Sequence, residues 1–164
     1  MKKYIICLIL LVFCFVTCFA YINMMFSPKG GIQDQIVKRI NNSKIYIDVL
    51  IYSMTAPKIQ TALIDAYKRG VNVRVIADLN TSKAKSSLIQ GMEDAGIPIK
   101  RMKGLGGMGI MHNKIGVFDG NDMVTGSYNW TSNAENNNWE NAVFTNNSYM
   151  IMKSTNQFEY MWKK

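Results

Sequence analysis

The sequence MHNKIGVFD at residues 111–119, followed by GSYNW at residues 126–130, brings several chemically reactive side chains close together along the chain. His112 is the only histidine among the 164 residues. With an unperturbed pKa of about 6.5, an imidazole can accept or donate a proton near neutral pH, and it can also act as a covalent nucleophile. A mechanism that needs two such groups must therefore take the second one from another copy of the chain.

The spacing within both segments predicts that their polar side chains converge. Side chains two residues apart on a β-strand share a face, so His112 and Lys114 are expected to point the same way. Ser127 and Asn129 repeat this spacing at the end of the next strand. Two neighbouring strand ends are thus predicted to bring an imidazole, an ammonium, a hydroxyl and an amide together.

Such a set of groups suits a phosphate, because lysine and amide donors can hold its oxygens while the imidazole attacks phosphorus. Glu140 is expected to accept the second ring N–H of His112 and to fix its tautomer. Taken singly, each residue also has a structural interpretation: Asp119 is a common turn residue, for example, and Glu140 can be a surface charge. Their shared register favours a catalytic site.

Helical and strand periodicities alternate along the chain, which predicts an α/β domain with a mixed β-sheet flanked by helices on both faces. The expected helices are 31–41, 56–69, 82–95 and 148–162, and the expected strands are 44–54, 71–78, 97–101, 111–118, 123–126 and 141–145. Pro98 places its strand near a sheet edge. A glycine-rich loop at 104–109 is either a plain connection or a place where a substrate backbone approaches closely.

The N-terminus has the pattern of an export signal. Lys2 and Lys3 precede an apolar run from Tyr4 to Ile22, which is also long enough to cross a hydrocarbon core of about 30 Å as a helix. Residues 1–25 are therefore predicted to be a signal peptide or an N-terminal membrane anchor. The domain over residues 26–164 is then expected to be periplasmic or extracellular, either free or tethered to the membrane.

Cysteine content and charge limit the chemistry of this domain. All three cysteines lie in the leader, so the exported part has neither a disulfide framework nor a cysteine-based zinc site. It keeps 17 Lys and Arg against 11 Asp and Glu, a net charge of +6. A basic balance suggests an anionic partner, either nucleic acid or an acidic membrane surface.

Two further groups of residues are candidates for substrate contacts. Five basic residues lie in the segments that lead to the glycine-rich loop: Lys83, Lys85, Lys100, Arg101 and Lys103. They either line a groove for a phosphate backbone or form a solvated face. Aromatic residues around the motif either stack on single-stranded bases or belong to the core, and they are Tyr128, Trp130 and Trp139.

The combined spacing resembles the HKD motif of the phospholipase D superfamily, and it reads His112-x-Lys114-(x)4-Asp119-(x)6-Gly126-Ser127-x-Asn129. The segment NWEN at 138–141 resembles the acidic element that follows this motif in the small bacterial endonucleases of the superfamily. The resemblance covers residues 26–164 and implies a single phospholipase D-type domain. Mitochondrial relatives carry a cysteine-rich zinc insertion, for which the domain has no cysteine.

The resemblance also implies roles for individual residues. His112 would form a phosphohistidine, Glu140 would orient it, and Asp119 would be structural or supporting. The implied catalytic residues are His112, Lys114, Asp119 and Glu140, and the implied substrate-binding residues are Ser127 and Asn129, the latter sharing the phosphate oxygens with Lys114. No metal or cofactor is implied. Because the chain has one motif, it resembles the homodimeric members, in which two copies of His112 meet across a two-fold axis.

The expected function is a metal-independent endonuclease that cleaves DNA or RNA through a phosphohistidine intermediate. A phospholipase D that hydrolyses phospholipid head groups is the alternative, since the same chemistry serves both substrates. A third hypothesis is a non-catalytic nucleic-acid-binding module, but a binding protein has no need of the intact motif.

Overall fold

The computed structural model describes residues 20–164, so most of the predicted leader lies outside the described residues. One seven-stranded sheet and five α-helices make up this part of the chain. The elements in chain order are β1 Ile22–Ser27, α1 Ile32–Asn42, β2 Tyr46–Ile51, α2 Pro57–Lys68, β3 Asn72–Asp78, α3 Ile89–Asp94, β4 Ile99–Met102, β5 Lys114–Phe118, β6 Asp122–Gly126, α4 Ser132–Asn136, β7 Glu140–Thr145 and α5 Ser148–Lys163. Within residues 20–164, no helix is both long and apolar enough to cross a membrane.

The sheet is mixed, as predicted, with the strand order β1-β7-β6-β5-β2-β3-β4. Strands β2, β3 and β4 are parallel, and every other neighbouring pair is antiparallel. β4, which follows Pro98, forms one edge of the sheet, in agreement with the prediction from that proline.

Helices cover both faces of the sheet, which confirms the predicted layering. On one face α1 buries Ile32, Ile36 and Ile40, spaced four residues apart, in the main hydrophobic core. On the other face α5 packs Phe158 against β2 and β3 residues in a second cluster. Arg74 of β3 also holds this helix, because its guanidinium bonds Glu159 at 2.7 Å as well as Asp48 of β2 at 2.8 Å.

The sequence did not predict β1. This strand pairs with β7 from Ile22 to Ser27, so the sheet begins inside the segment that the prediction assigned to the leader, and the predicted boundary at residue 26 falls within a strand. The apolar run up to Ile22 merges with the strand and hides its period of two. Ile22, Met24 and Phe26 alternate along β1 and remain largely exposed.

The helix predicted over 82–95 is shorter in the structure. A single 3-10 turn at Thr81–Lys83 is followed by an irregular segment, and α3 begins only at Ile89. Serine hydroxyls compete here with helical hydrogen bonds, since Ser82 Oγ donates to the Leu79 carbonyl and Ser87 Oγ accepts the Ile89 N–H.

Candidate active site

The register of the sheet brings five of the predicted site residues to one end of it. Ile51 at the end of β2 pairs with Lys114 at the start of β5, and Gly126 at the end of β6 pairs with Ala142 near the start of β7. We call this the site end of the sheet. It holds the segments that contain His112, Lys114, Ser127, Asn129 and Glu140.

His112 lies just before β5 and is exposed, whereas the sequence predicted it within the strand. The backbone on either side of His112 is held by two hydrogen bonds. The Met111 N–H donates to the Asp78 carboxylate at 3.1 Å, and the Asn113 carbonyl accepts the Tyr52 N–H at 3.0 Å. The Tyr52 ring packs edge-on against the imidazole, with 4.6 Å between ring centres. The histidine is therefore positioned by β2 and β3 while its ring faces solvent.

Lys114 is only 6 % exposed, directly beside the exposed histidine. Its Nζ donates to the His112 carbonyl at 2.8 Å and lies 4.9 Å from the centre of the Tyr52 ring. Burial lowers the pKa of the Lys114 ammonium, and the negative charge of Glu140 partly opposes this shift. A poorly hydrated cation next to the imidazole is well placed to neutralise a phosphate oxygen.

Glu140 and Ser127 form a hydrogen-bonded pair at the starts of β7 and of the segment after β6. Ser127 Oγ donates to one Glu140 carboxylate oxygen at 2.6 Å, and Asn138 Nδ2 donates to the other at 3.1 Å. Among the hydrogen bonds of the described residues, none joins Glu140 to His112. The predicted contact of this carboxylate with the imidazole is therefore not made within a single chain.

Gly126 permits the approach of Ser127 to Glu140. A Cβ atom at position 126 would lie 2.3 Å from the Asn141 carbonyl oxygen of the neighbouring strand, so only glycine fits there. The next residue is consequently held against β7, where its backbone N–H donates to the same carbonyl at 3.1 Å.

The Asn129 side chain is the group of the site that the fold leaves without a partner. Its buried Oδ1 makes no hydrogen bond within residues 20–164. Its backbone is nevertheless firmly held, because the adjacent Trp130 carbonyl accepts the N–H groups of Thr55 and Ala56. The Asn129 Oδ1 is an acceptor, so a donor rather than a phosphate oxygen would satisfy it. The Nδ2 of the same amide also makes no hydrogen bond within residues 20–164, and it is the end that can donate to a phosphate oxygen.

The structure corrects the grouping of Asp119 with the catalytic residues. It follows β5 at the end opposite to Lys114, and its carboxylate accepts the N–H groups of Lys44, Ile45 and Tyr46 at 2.8, 2.8 and 3.0 Å. With a φ of 51°, it also forms the left-handed turn before β6. Its role in this chain is to tie the start of β2 to the β5–β6 turn.

Three positioning residues were not predicted from the sequence. Tyr52 packs against His112 and Lys114, Asp78 fixes the backbone before the histidine, and Asn138 holds Glu140. All three lie at or just beyond the site-end termini of strands. Asp78 was recognised only as the end of a strand and Asn138 only as part of the NWEN segment, and no local pattern marks Tyr52.

Only part of the predicted basic group is free to meet a substrate. Lys83, Lys85 and Lys103 are exposed in the loops after β3 and β4, at the site end. In contrast, Lys100 Nζ donates to the Trp162 carbonyl at 2.7 Å, and the Arg101 guanidinium binds the Glu93 carboxylate at 2.7 and 2.9 Å. Of the three exposed lysines, Lys103 lines a cavity together with His112, whereas Lys83 and Lys85 line a separate pocket with Glu93 and Arg101.

The three aromatic candidates also differ in their exposure to solvent. Tyr128 and Trp130 are core residues, 2 % and 1 % exposed, whereas Trp139 is 90 % exposed. Burial, together with the Glu135 carboxylate to which it donates, raises the pKa of the Tyr128 hydroxyl above its ordinary value. Tyr128 is thus a structural donor, and only Trp139 remains available for stacking.

A cavity of about 310 Å³ adjoins His112 on the side of the glycine-rich loop. Its walls are mostly apolar and include Leu105, Ile110 and Tyr160, with Lys103 and Lys164 at the rim. Within the described residues there is no group of three or more His, Cys, Asp or Glu side chains that would hold a metal ion.

Comparison with known proteins agrees with this architecture. Residues 36–162 match the family model described as cardiolipin synthase, PLD-like domain. The chain is 34 % identical over 123 residues to the phospholipase D of Rickettsia prowazekii, covering 74 % of this chain and 58 % of that protein. It is 30 % identical over 118 residues to the mitochondrial cardiolipin hydrolase of Xenopus laevis, covering 72 % of this chain and 55 % of that protein. The chain thus spans a little more than half the length of these curated relatives.

Two solved structures match over nearly their full length. Nuc, a phospholipase D family member from Salmonella typhimurium, superposes with a TM-score of 0.80 at 29 % identity, covering 88 % of this chain and 95 % of that one. NucT from Helicobacter pylori gives a TM-score of 0.82 at 25 % identity, covering 88 % and 97 %. Given this single α/β domain, its His112–Lys114–Asn129 cluster and the family match over most of its length, the chain belongs to the phospholipase D superfamily, as a member with one PLD-like domain and one HKD motif.

Proposed function

We propose that this protein is a metal-independent phosphodiesterase that cuts DNA or RNA internally through a phosphohistidine intermediate. The observation that supports it best is the arrangement of an exposed His112, a buried Lys114 ammonium and the Asn129 amide, whose Nδ2 can donate to a phosphate oxygen, at one sheet end. These are the groups that attack and hold a phosphodiester. Membership of the phospholipase D superfamily supports the reaction class.

In the proposed reaction, a ring nitrogen of His112 forms a bond to phosphorus while the bond to the leaving oxygen breaks. The leaving oxygen takes a proton from the partner subunit's His112, and Lys114 and Asn129 stabilise the charge on the phosphate oxygens. Water then attacks the phosphohistidine, loses its proton to the second imidazole, and releases His112. Both steps need two imidazoles on opposite sides of the phosphate, which is why we propose a homodimer.

The exposed charges of the site end favour a polymeric phosphate as substrate. Lys103 lines the cavity beside His112, and Lys83 and Lys85 lie on the loop after β3 at the same sheet end. None of the three is engaged in an ion pair within the described residues. Spaced cations of this kind neutralise successive phosphates of a nucleic-acid backbone. A single phospholipid head group would contact fewer of them.

The path of the N-terminal segment also supports a soluble substrate. β1 starts at the sheet end opposite to the site, with Ile22 paired to Thr145, and reaches the site end at Ser27, paired to Glu140. Tyr21, directly before β1, is held against the domain, because its hydroxyl donates to Asp122 at 2.7 Å and accepts from Arg39 at 2.9 Å. Of the two alternatives for the leader, a retained membrane anchor would make the site face away from the bilayer, roughly 20 Å from the point of attachment.

Hydrolysis of phospholipid head groups is the second candidate function. The apolar cavity beside His112 favours it, because an acyl chain or glycerol backbone can bind there while the head-group phosphate meets Lys114. Leu105 and Met108, exposed at 84 % and 79 %, extend this apolar surface along the glycine-rich loop.

A substrate panel in the presence of EDTA tests the proposal. We expect the purified domain to cleave single-stranded DNA, duplex DNA or RNA at an undiminished rate in EDTA, because charge neutralisation is supplied by Lys114 and Asn129 rather than by Mg²⁺. Product lengths on gels and the formation of phosphatidate from phosphatidylcholine and cardiolipin vesicles are measured in parallel. Activity that vanishes in EDTA and returns with Mg²⁺ would contradict metal independence, and cleavage of lipid alone would favour the second function.

A subunit-mixing experiment tests the composite site. When wild-type protein exchanges subunits with an excess of His112→Asn protein, we expect activity to fall below the wild-type fraction, because each mixed dimer lacks one of its two imidazoles. The control is Asn121→Ala, which changes an exposed residue at the opposite sheet end. Mixing wild-type protein with this variant should leave the activity per subunit unchanged. A monomer in light scattering with full activity at the assay concentration argues against the shared site.

A further inference from the structure

We propose that Trp139 forms a subsite for an unpaired base next to the cleaved phosphate, so that single-stranded nucleic acid is preferred over duplex. This inference rests on the proposed nuclease function and names the feature of the substrate that the site selects. It concerns a side chain that has no part in binding or attacking the phosphate.

The fold does not use the Trp139 side chain. At 90 % exposure it is the most exposed large hydrophobic residue of the described chain, while Trp130 is buried and Trp162 stacks on Phe158 with 5.5 Å between ring centres. No aromatic or cation–π contact within residues 20–164 involves the Trp139 ring. Leaving so large an apolar surface in water has a cost that a ligand can recover.

The backbone that carries this indole is held on both sides. Asn138 precedes it, with its carbonyl accepting the Ser27 hydroxyl at 3.0 Å and its side-chain oxygen accepting Asn133 Nδ2 at 2.7 Å. Glu140 follows it, bonded to Ser127 and to Asn138. An aromatic side chain on a fixed backbone loses little conformational entropy when a ligand stacks on it.

Trp139 is the sequence neighbour of Glu140, one of the predicted catalytic residues. Glu140 acts electrostatically on the Lys114 ammonium and bonds Ser127. Trp139 directly precedes Glu140 at the site end of β7, so the two Cα atoms are about 3.8 Å apart. We infer that a nucleotide next to a phosphate held at Lys114 and Asn129 lies within reach of this exposed indole.

The chemistry of the indole defines what it binds. Every base has a π face, so stacking on tryptophan tolerates any sequence. In a duplex the bases are already stacked and paired, and turning one outward costs several kcal/mol. A stacking platform at this position therefore favours single strands without reading base identity.

Binding measurements in a His112→Asn background test the proposal without cleavage. We expect Trp139→Ala to weaken binding of an oligothymidylate about 5- to 100-fold, to leave binding of a duplex of equal length nearly unchanged, and to be rescued largely by Trp139→Phe. Tyr149→Ala is the control, because Tyr149 is 63 % exposed in the first turn of α5, beyond the far end of β7. Quenching of tryptophan fluorescence by the oligothymidylate should disappear in Trp139→Phe.

The outcomes separate this inference from the proposed function. Equal losses for single strands and duplex, or no loss at all, would overturn the Trp139 subsite while leaving the nuclease intact. A Trp139→Ala protein of half the wild-type mass in light scattering would also overturn it, by assigning the indole to a subunit interface. Failure of the parent variant to bind either polymer would contradict the nuclease proposal itself.

Discussion

Replacing His112 with asparagine is expected to lower phosphodiesterase activity by at least about a thousand-fold, because the chain has no other imidazole to form the phosphoenzyme. In a homodimer the substitution removes both the nucleophile and the proton donor. Because the His112 side chain is exposed, the variant should fold normally. Initial rates on an oligonucleotide and a thermal melt of each protein measure the two effects separately.

A trapping experiment links this loss to covalent catalysis. Phosphohistidine survives alkali and is labile to acid, so denaturation of the wild-type enzyme in alkali during turnover should retain a protein–nucleotide adduct. The His112→Asn variant should form none, and the Asn121→Ala control should form as much as the wild type. Retention of more than a few per cent of activity in His112→Asn would show that another group attacks phosphorus.

Replacing Lys114 with methionine is the second large effect, with an expected loss of about 100- to 1,000-fold in the rate of the chemical step. Methionine has similar length and suits the buried position, so the change removes the charge without leaving a cavity. Lys68→Met is the matched control, since Lys68 is an exposed lysine at the end of α2, away from the site. Comparable losses in both variants would show that the effect comes from net charge rather than from the site.

The lowered pKa of Lys114 adds a signature in pH. Only the protonated amine can neutralise a phosphate oxygen, and burial makes this amine lose its proton at a lower pH than an exposed lysine does. Wild-type activity should therefore decline on the alkaline side before the ordinary lysine range is reached. The residual activity of Lys114→Met should lack this decline, whereas an unchanged alkaline profile would assign the titration to another group.

Much of the fold could be predicted from local patterns. The isoleucines of α1 recur every four residues, which is the helical repeat of a buried face, and they are all inaccessible to solvent. Pro98 correctly marked an edge strand. β1 escaped prediction because its apolar residues continue the leader, and α3 was predicted too long because competition from serine hydroxyls is not visible in hydrophobic spacing.

The candidate site was predicted in composition more accurately than in geometry. The motif spacing named His112, Lys114, Ser127, Asn129 and Glu140, and the sheet register brings their segments to one end. The spacing also drew Asp119 into the group. A motif records positions along the chain, and β5 separates Asp119 from the site by its whole length.

The sequence by itself determined the class of fold, the one imidazole per chain and the set of groups that can hold a phosphate, because these follow from residue type and short periodicities. Only the tertiary structure decided the environment of each group. It buried Lys114 and lowered its pKa, paired Glu140 with Ser127 rather than with His112, and left Asn129 unsatisfied and Trp139 in solvent. The physical reason is that burial, hydrogen-bond partners and pKa depend on residues far apart in sequence, which meet only when the register of the sheet is set.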